Sequence, residues 1–197
     1  MNTMMANTKA SPQPHFAQRG PEVQRFGSVR LVPIALSAQA RTESAQLLNR
    51  ILADTSILYA LYKKSHWLVA GPTFYQLHLL FDKHASEQLE IADVLAERIQ
   101  SLGGIAVGDS RHAAELTTID RPPDGAEEVP VMISRLLEAH EEIVGKVRTA
   151  IEHTGRNGDW GSNDVLVGDV LRRHELQVWF LSAHLVEEPL VDAEAAQ

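Results

Sequence analysis

The sequence predicts an all-α chain: a four-helix bundle with a short extra helix in the connection between the second and third long helices. Three observations point there. Apolar residues recur at helical spacing in four long segments, and no alternating strand pattern interrupts them. The breaks between segments carry glycine, proline and asparagine where helices stop. The connection from Ile105 to Glu127 is much longer than a tight helix–helix turn, which suits a chain that crosses the bundle.

Each element follows from local chemistry. Residues 1–41 are expected to form a flexible N-terminal arm, because Pro12, Pro14, Pro21 and Pro33 interrupt any helix and no apolar period survives. From Thr42, a candidate cap, Leu47, Leu48, Ile51, Leu52, Leu58, Leu61 and Tyr62 set a stripe that runs to Leu68 and stops at Ala70-Gly71-Pro72. The second helix is expected from Thr73 to Leu102, a rod of about 45 Å ended by Gly103-Gly104. Ser110 to Thr117 reads as the short helix, ending before Arg121-Pro122-Pro123. The third long helix covers Glu127 to His153 and closes in Thr154-Gly155-Arg156-Asn157-Gly158. The fourth runs from Ser162 to Val186, with Ser162 or Asn163 as its cap. The bundle thus occupies residues 42–188, and residues 189–197 form a short acidic tail.

The totals bound the function. At 197 residues the chain suits one well-buried domain. No run of eighteen apolar residues occurs, so no membrane partner is expected. No apolar stretch follows a basic start, so a secretory leader is not expected and the cytoplasm is the expected compartment. The absence of cysteine excludes disulfides, zinc knuckles and thiol catalysis together. A formal charge of −8 argues against a uniformly basic surface for nucleic acid and suits a shell that attracts cations.

The informative stretch is His66-Trp67 followed by His78, Asp82, Asp93 and Glu97. At about 100° per residue, Asp82, Asp93 and Glu97 lie about 40°, 60° and 100° from His78, all on one face of the second helix. Imidazole with carboxylate is the ligand mixture of iron, zinc or manganese. Yet His78 and Asp93 stand about 22 Å apart along a helix, while metal–ligand bonds are about 2 Å long. These residues of one chain therefore cannot share one metal. A two-fold axis resolves this, because the residue numbers of His78 and Glu97, and of Asp82 and Asp93, add to the same total. An antiparallel pairing of two second helices, crossing between Glu87 and Gln88, brings both pairs together at once. His66, on the neighbouring helix, can lean in as a fifth ligand. The Glu-x-x-His pairs of an intra-bundle di-iron site are missing.

At this point the sequence resembles the Dps family, the mini-ferritins of the ferritin-like superfamily. The resemblance rests on His66-Trp67, His78, Asp82, Asp93, Ala96-Glu97-Arg98 and the closing Gly103-Gly104, with Asn163-Asp164 and Trp179-Phe180…Ala183-His184-Leu185 in the fourth helix. It spans residues 45–187 and the short middle helix. The resemblance implies a ferritin-like bundle assembled into a dodecameric hollow homo-oligomer. It also implies ferroxidase centres built from His66, His78 and Asp82 of one subunit with Asp93 and Glu97 of its mate. The implied substrates are Fe(II) and hydrogen peroxide, preferred over dioxygen, with ferric oxide stored inside and oxidative damage suppressed. Trp67 would stand beside the centre as a radical quencher, and Asp164, helped by Asp159 or Asp169, would line a pore admitting Fe(II).

Rival readings remain beside this one. Lys9, Arg19, Arg25 and Arg30 make the arm mildly basic, so DNA binding and nucleoid compaction, with a secondary metal role, form the alternative; against it stand the acidic shell and a single arm lysine. A cage held by structural zinc, or zinc as a substitute metal, is the third, though closed zinc sites usually contain cysteine. His84 turns away from the shared face and reads as packing or an auxiliary cation contact. His140, His153, His174 and His184 are scattered along the sequence and assigned to structure or surface. Leu79 stands where many relatives carry an acid.

Overall fold

The structure, a computed structural model, describes residues 12–187; Lys9 and the acidic tail lie outside the described residues. Among these the chain is all-helical, as the apolar periodicity predicts. Helix α1 spans Ala38–Leu68, capped by Ser37, whose hydroxyl accepts from the Ala40 N–H at 3.1 Å. It begins four residues ahead of Thr42, which is not the cap: its hydroxyl bonds back to the Ala38 carbonyl inside the first turns. Helix α2 spans Phe74–Ser101. Its end is a Schellman motif, with Gly103 N–H on Gln100 O and Gly104 N–H on Ile99 O. Gly103 takes φ +84°, and a Cβ there would stand 2.6 Å from the Arg30 carbonyl, so glycine is required twice over.

The short α3 covers Ser110–Leu116 and is capped by Asp109. Helix α4 runs Val129–Arg156 with Pro130 in its first turn, where no intrahelical N–H is lost. The same Schellman pattern ends it, Asp159 N–H reaching Thr154 O with Gly158 at φ +72°. The last rod starts as α5, Trp160–Val165, passes through a π-helical stretch at Leu166–Leu171 and continues as α6, Arg172–Ser182. Its cap is Asp159, which accepts from Ser162 N–H, rather than Ser162 or Asn163. The capping carboxylate must precede the helix, and Ser162 is already inside it.

The stripes meet in one core. Leu48, Ile51 and Leu58 of α1, Phe81, Ile91 and Leu95 of α2, Leu136 and Ile143 of α4, and Leu166 and Leu181 of the last rod are all at most 1% exposed. Burying side chains of this size contributes on the order of 2 kcal/mol each. Helices α1 and α2 form a tight αα-hairpin, and α4 packs on α1 and α6. The crossing connection is anchored by Asp54, whose buried carboxylate accepts from Thr117 Oγ1 (2.7 Å), Thr118 N–H (3.1 Å) and Lys146 (2.5 Å). Ahead of α1 the chain lies on the α2–α3 turn: Arg30 N–H donates to Gly103 O at 2.9 Å and Gln24 to the same carbonyl at 2.8 Å. The Arg41 guanidinium, 4% exposed, ties Arg30 O and Leu102 O together. Arg19, Arg25 and Arg30 themselves are exposed.

Candidate metal centre

The α1–α2 turn, with Gly71 at φ +98° followed by Pro72, sets the end of one helix against the start of the next. His66 in the last turn of α1 and His78 early in α2 therefore face each other. Each Nδ1 donates to the other residue's backbone carbonyl, His66 to His78 O at 2.8 Å and His78 to His66 O at 2.9 Å. The rings stack with centroids 3.8 Å apart. A carbonyl only accepts, so both Nδ1 atoms carry hydrogen, and in the neutral rings both Nε2 atoms keep free lone pairs. Hydrogen bonds of this kind fix the orientation and tautomer of imidazoles that ligate a metal through Nε2.

Asp82 lies one turn further along α2, half-exposed, and Lys63 of α1 holds its carboxylate at 2.5 Å. The hydrogen bond from Lys63, with the charges of Lys63 and the two imidazoles, keeps Asp82 below the usual carboxylate range despite some desolvation. Lys63 was not singled out in the sequence; its place three residues before His66 on the same helix was the available signal. Its ammonium also sits 5.9 Å from the Trp67 ring, which is 71% exposed.

The single chain does not bring the remaining candidates into this group. Asp93 and Glu97 are exposed on the far half of α2, about 16–28 Å of helix rise from His78 and Asp82. Among the described residues no three His, Asp or Glu of one chain are grouped to hold a metal ion. Leu89, 51% exposed, lies on the same face of α2 between the two halves.

Asp159, expected at a pore, is 2% exposed and committed elsewhere. Burial would raise its pKa, but the hydrogen bond from Ser162 N–H and the Arg98 guanidinium at 2.5 Å outweigh this and lower it. Within the single chain its carboxylate caps α5 and pairs with Arg98. Asp164 and Asp169 are exposed.

A second polar group occupies the core and was missed in the sequence. His84 is 1% exposed, and its Nδ1 is 3.1 Å from the Tyr62 hydroxyl. Tyr62 in turn reaches His140 Nε2 at 2.5 Å, and His140 Nδ1 reaches His174 Nδ1 at 2.8 Å. His140 and His174, expected at structural or surface positions, are structural and clustered; they meet because each falls on the buried stripe of its own helix. Burial lowers His84 to about 4 and His174 to about 3, so the rings stay neutral.

Comparison with known proteins places this geometry. Residues 45–191 match the ferritin family profile, described as a ferritin-like domain. The structure of DpsC from Streptomyces coelicolor is 59% identical, superposes with a TM-score of 0.85, and covers 87% of this chain and 100% of its own. A protein of Kitasatospora aureofaciens, described as an uncharacterized protein in the bpoA2 5′ region, is 62% identical over 147 residues, 75% of this chain and 98% of its own. The DNA protection during starvation protein of Brevibacillus brevis is 32% identical over 143 residues, 72% of this chain and 93% of its own.

Proposed function

Since the chain belongs to the Dps family of ferritin-like proteins, we propose that two copies of it complete an iron-oxidising centre and that the assembled shell stores the product. The observation that carries this reading is the His66–His78 pair, whose Nδ1 atoms are locked on carbonyls and whose Nε2 lone pairs are left for a cation. His66, His78 and Asp82 of one subunit form one half of the centre. Asp93 and Glu97 of a second copy form the other, brought in when two α2 helices pair antiparallel. Leu89 supplies an apolar contact at the crossing.

The chemistry follows from these groups. Before Fe(II) binds, Lys63 balances the Asp82 charge; Fe(II) displaces it and takes the imidazole and carboxylate donors. Two Fe(II) ions give one electron each to hydrogen peroxide, which takes up two protons and leaves as two waters. Hydrolysis of Fe(III) then releases protons and yields the ferric oxide held in a hollow homo-oligomer of twelve chains. Removing Fe(II) and peroxide together protects against oxidative damage. Trp67, exposed beside the half-site, is the nearby oxidisable ring, and Asp164 with Asp169 offers the carboxylates for an Fe(II) pore. DNA contact through Lys9, Arg19, Arg25 and Arg30 is subordinate, because the chain carries a net charge of −8. The test is Fe(II) oxidation by peroxide in metal-free protein and in an Asp93→Asn, Glu97→Gln variant of unchanged assembly. Fast oxidation into a soluble core, lost in the variant, is the expected result; equal rates contradict the reading.

A further inference from the structure

The buried Tyr62 network lies apart from the residues proposed to ligate iron. Tyr62 is 0% exposed and lies one helical turn before His66 on α1, about 6 Å of rise away. Its hydroxyl sits between two imidazoles and can donate to only one of them. The nearer partner is His140 Nε2 at 2.5 Å, with His84 Nδ1 at 3.1 Å. Donation to His140 Nε2 makes His140 the Nδ1–H tautomer, which donates to His174 Nδ1 at 2.8 Å. His174 then carries its hydrogen on Nε2, an atom that is buried with no partner. His84 Nδ1–H completes the order by donating into the phenol oxygen. The chain His84, Tyr62, His140, His174 is therefore aligned in one direction and ends at the unpartnered His174 Nε2–H.

Other tyrosines lack this setting. The sequence has three, and Tyr75 is 67% exposed. Phenols in cores usually bond to a backbone carbonyl or water; a phenol donating to a neutral imidazole is the arrangement in which loss of an electron and loss of the proton occur together. That coupling avoids leaving a phenol cation in an apolar core.

We propose that Tyr62 is a one-electron donor to the centre described above, with His140 as its proton acceptor. The proposal rests on the reading of that centre as an iron oxidase. When peroxide meets a single Fe(II), the O–O bond breaks after one electron, giving Fe(III), hydroxide and a hydroxyl radical. Tyr62 supplies the second electron to the hydroxyl radical, which takes a solvent proton and becomes water. The phenolic proton moves to His140 Nε2, leaving a neutral phenoxyl beside an imidazolium. A later Fe(II) returns the electron, the proton moves back, and the phenol is restored.

The experiment is freeze-quench electron paramagnetic resonance of the assembled protein. Fe(II) is loaded anaerobically at less than one ion per centre and mixed with hydrogen peroxide, while ferric absorbance is followed in parallel. A radical whose hyperfine pattern collapses with ring-deuterated tyrosine, disappears in Tyr62→Phe and persists in Tyr75→Phe and Trp67→Phe is the expected result. His140→Gln, which retains the phenol, should give a weaker and shorter-lived signal. Ferric iron without a tyrosyl radical, or an undiminished tyrosyl signal in a folded Tyr62→Phe, overturns the relay alone. A Tyr62→Phe chain that fails to assemble leaves the deuterium and His140→Gln arms to decide: no deuterium collapse, or a signal unchanged in His140→Gln, overturns it. Absence of ferric iron contradicts the oxidase reading, and the relay falls with it.

Discussion

His66 and His78 position each other, each Nδ1 donating to the other's backbone carbonyl across the α1–α2 turn. Neither ring is oriented by a carboxylate, so the backbone of the turn sets both orientations. His66→Phe keeps a ring to stack on His78 but removes one Nε2 and one of the two locking hydrogen bonds. Fe(II) affinity should fall by about 10–100-fold or more, measured by anaerobic titration. Unchanged affinity would show that the pair is only structural.

Lys63 competes with the cation for Asp82. In Lys63→Met the stem is kept and the ammonium lost, so Asp82 should move back toward its ordinary carboxylate range. At neutral pH Asp82 is ionised in both proteins, and the dominant change is removal of a positive charge from the path of Fe(II). The binding should tighten by roughly fivefold, a modest gain because the pair is partly exposed to solvent. Weaker binding in the variant would instead make Lys63 a residue that positions Asp82.

Acid should destabilise the bundle before its carboxylates titrate. His140 and His174 are held neutral by burial, His140 well below 6.5 and His174 at about 3. An unfolded histidine binds a proton near pH 6.5, so the unfolded chain carries more protons than the folded one below that value. Stability is therefore full above pH 6.5 and declines as pH falls toward 3, at a cost on the order of 1–2 kcal/mol per histidine by pH 5. The measurement is the urea midpoint at pH 7.5 and pH 5, with a His140→Leu, His174→Leu variant expected to show a flatter slope. A wild-type midpoint that does not fall between these pH values would contradict it.

Much of this was legible before the structure. The four rods, the crossing helix and the closing glycines all follow from apolar spacing and terminal chemistry, because Gly103 and Gly158 take positive φ where α2 and α4 end. The face shared by His78, Asp82, Asp93 and Glu97 is helical arithmetic, and the impossibility of one chain holding them together follows from helix rise alone. What sequence could not reach were contacts set by the packing of distant helices. The His140–His174 meeting and the Arg98–Asp159 pair join residues 34 and 61 positions apart. That Asp159 would cap α5 and pair with Arg98 was equally out of reach, because the partner lies on α2. The cap at Ser37 was passed over because Pro33 nearby suggested that the chain was still irregular.

The most direct test of the intersubunit centre is complementation between two inactive variants. His78→Asn and Glu97→Gln are each purified, confirmed to assemble and to oxidise Fe(II) slowly, and then dissociated and reassembled together. A centre that takes His78 from one chain and Glu97 from its mate regains one intact copy in every mixed pair. Random pairing should then restore about one quarter of the wild-type centres. Recovery near that level, absent when either variant is reassembled alone, is the predicted result. No recovery in mixed assemblies of verified composition would place the iron chemistry within single chains and contradict the two-fold centre.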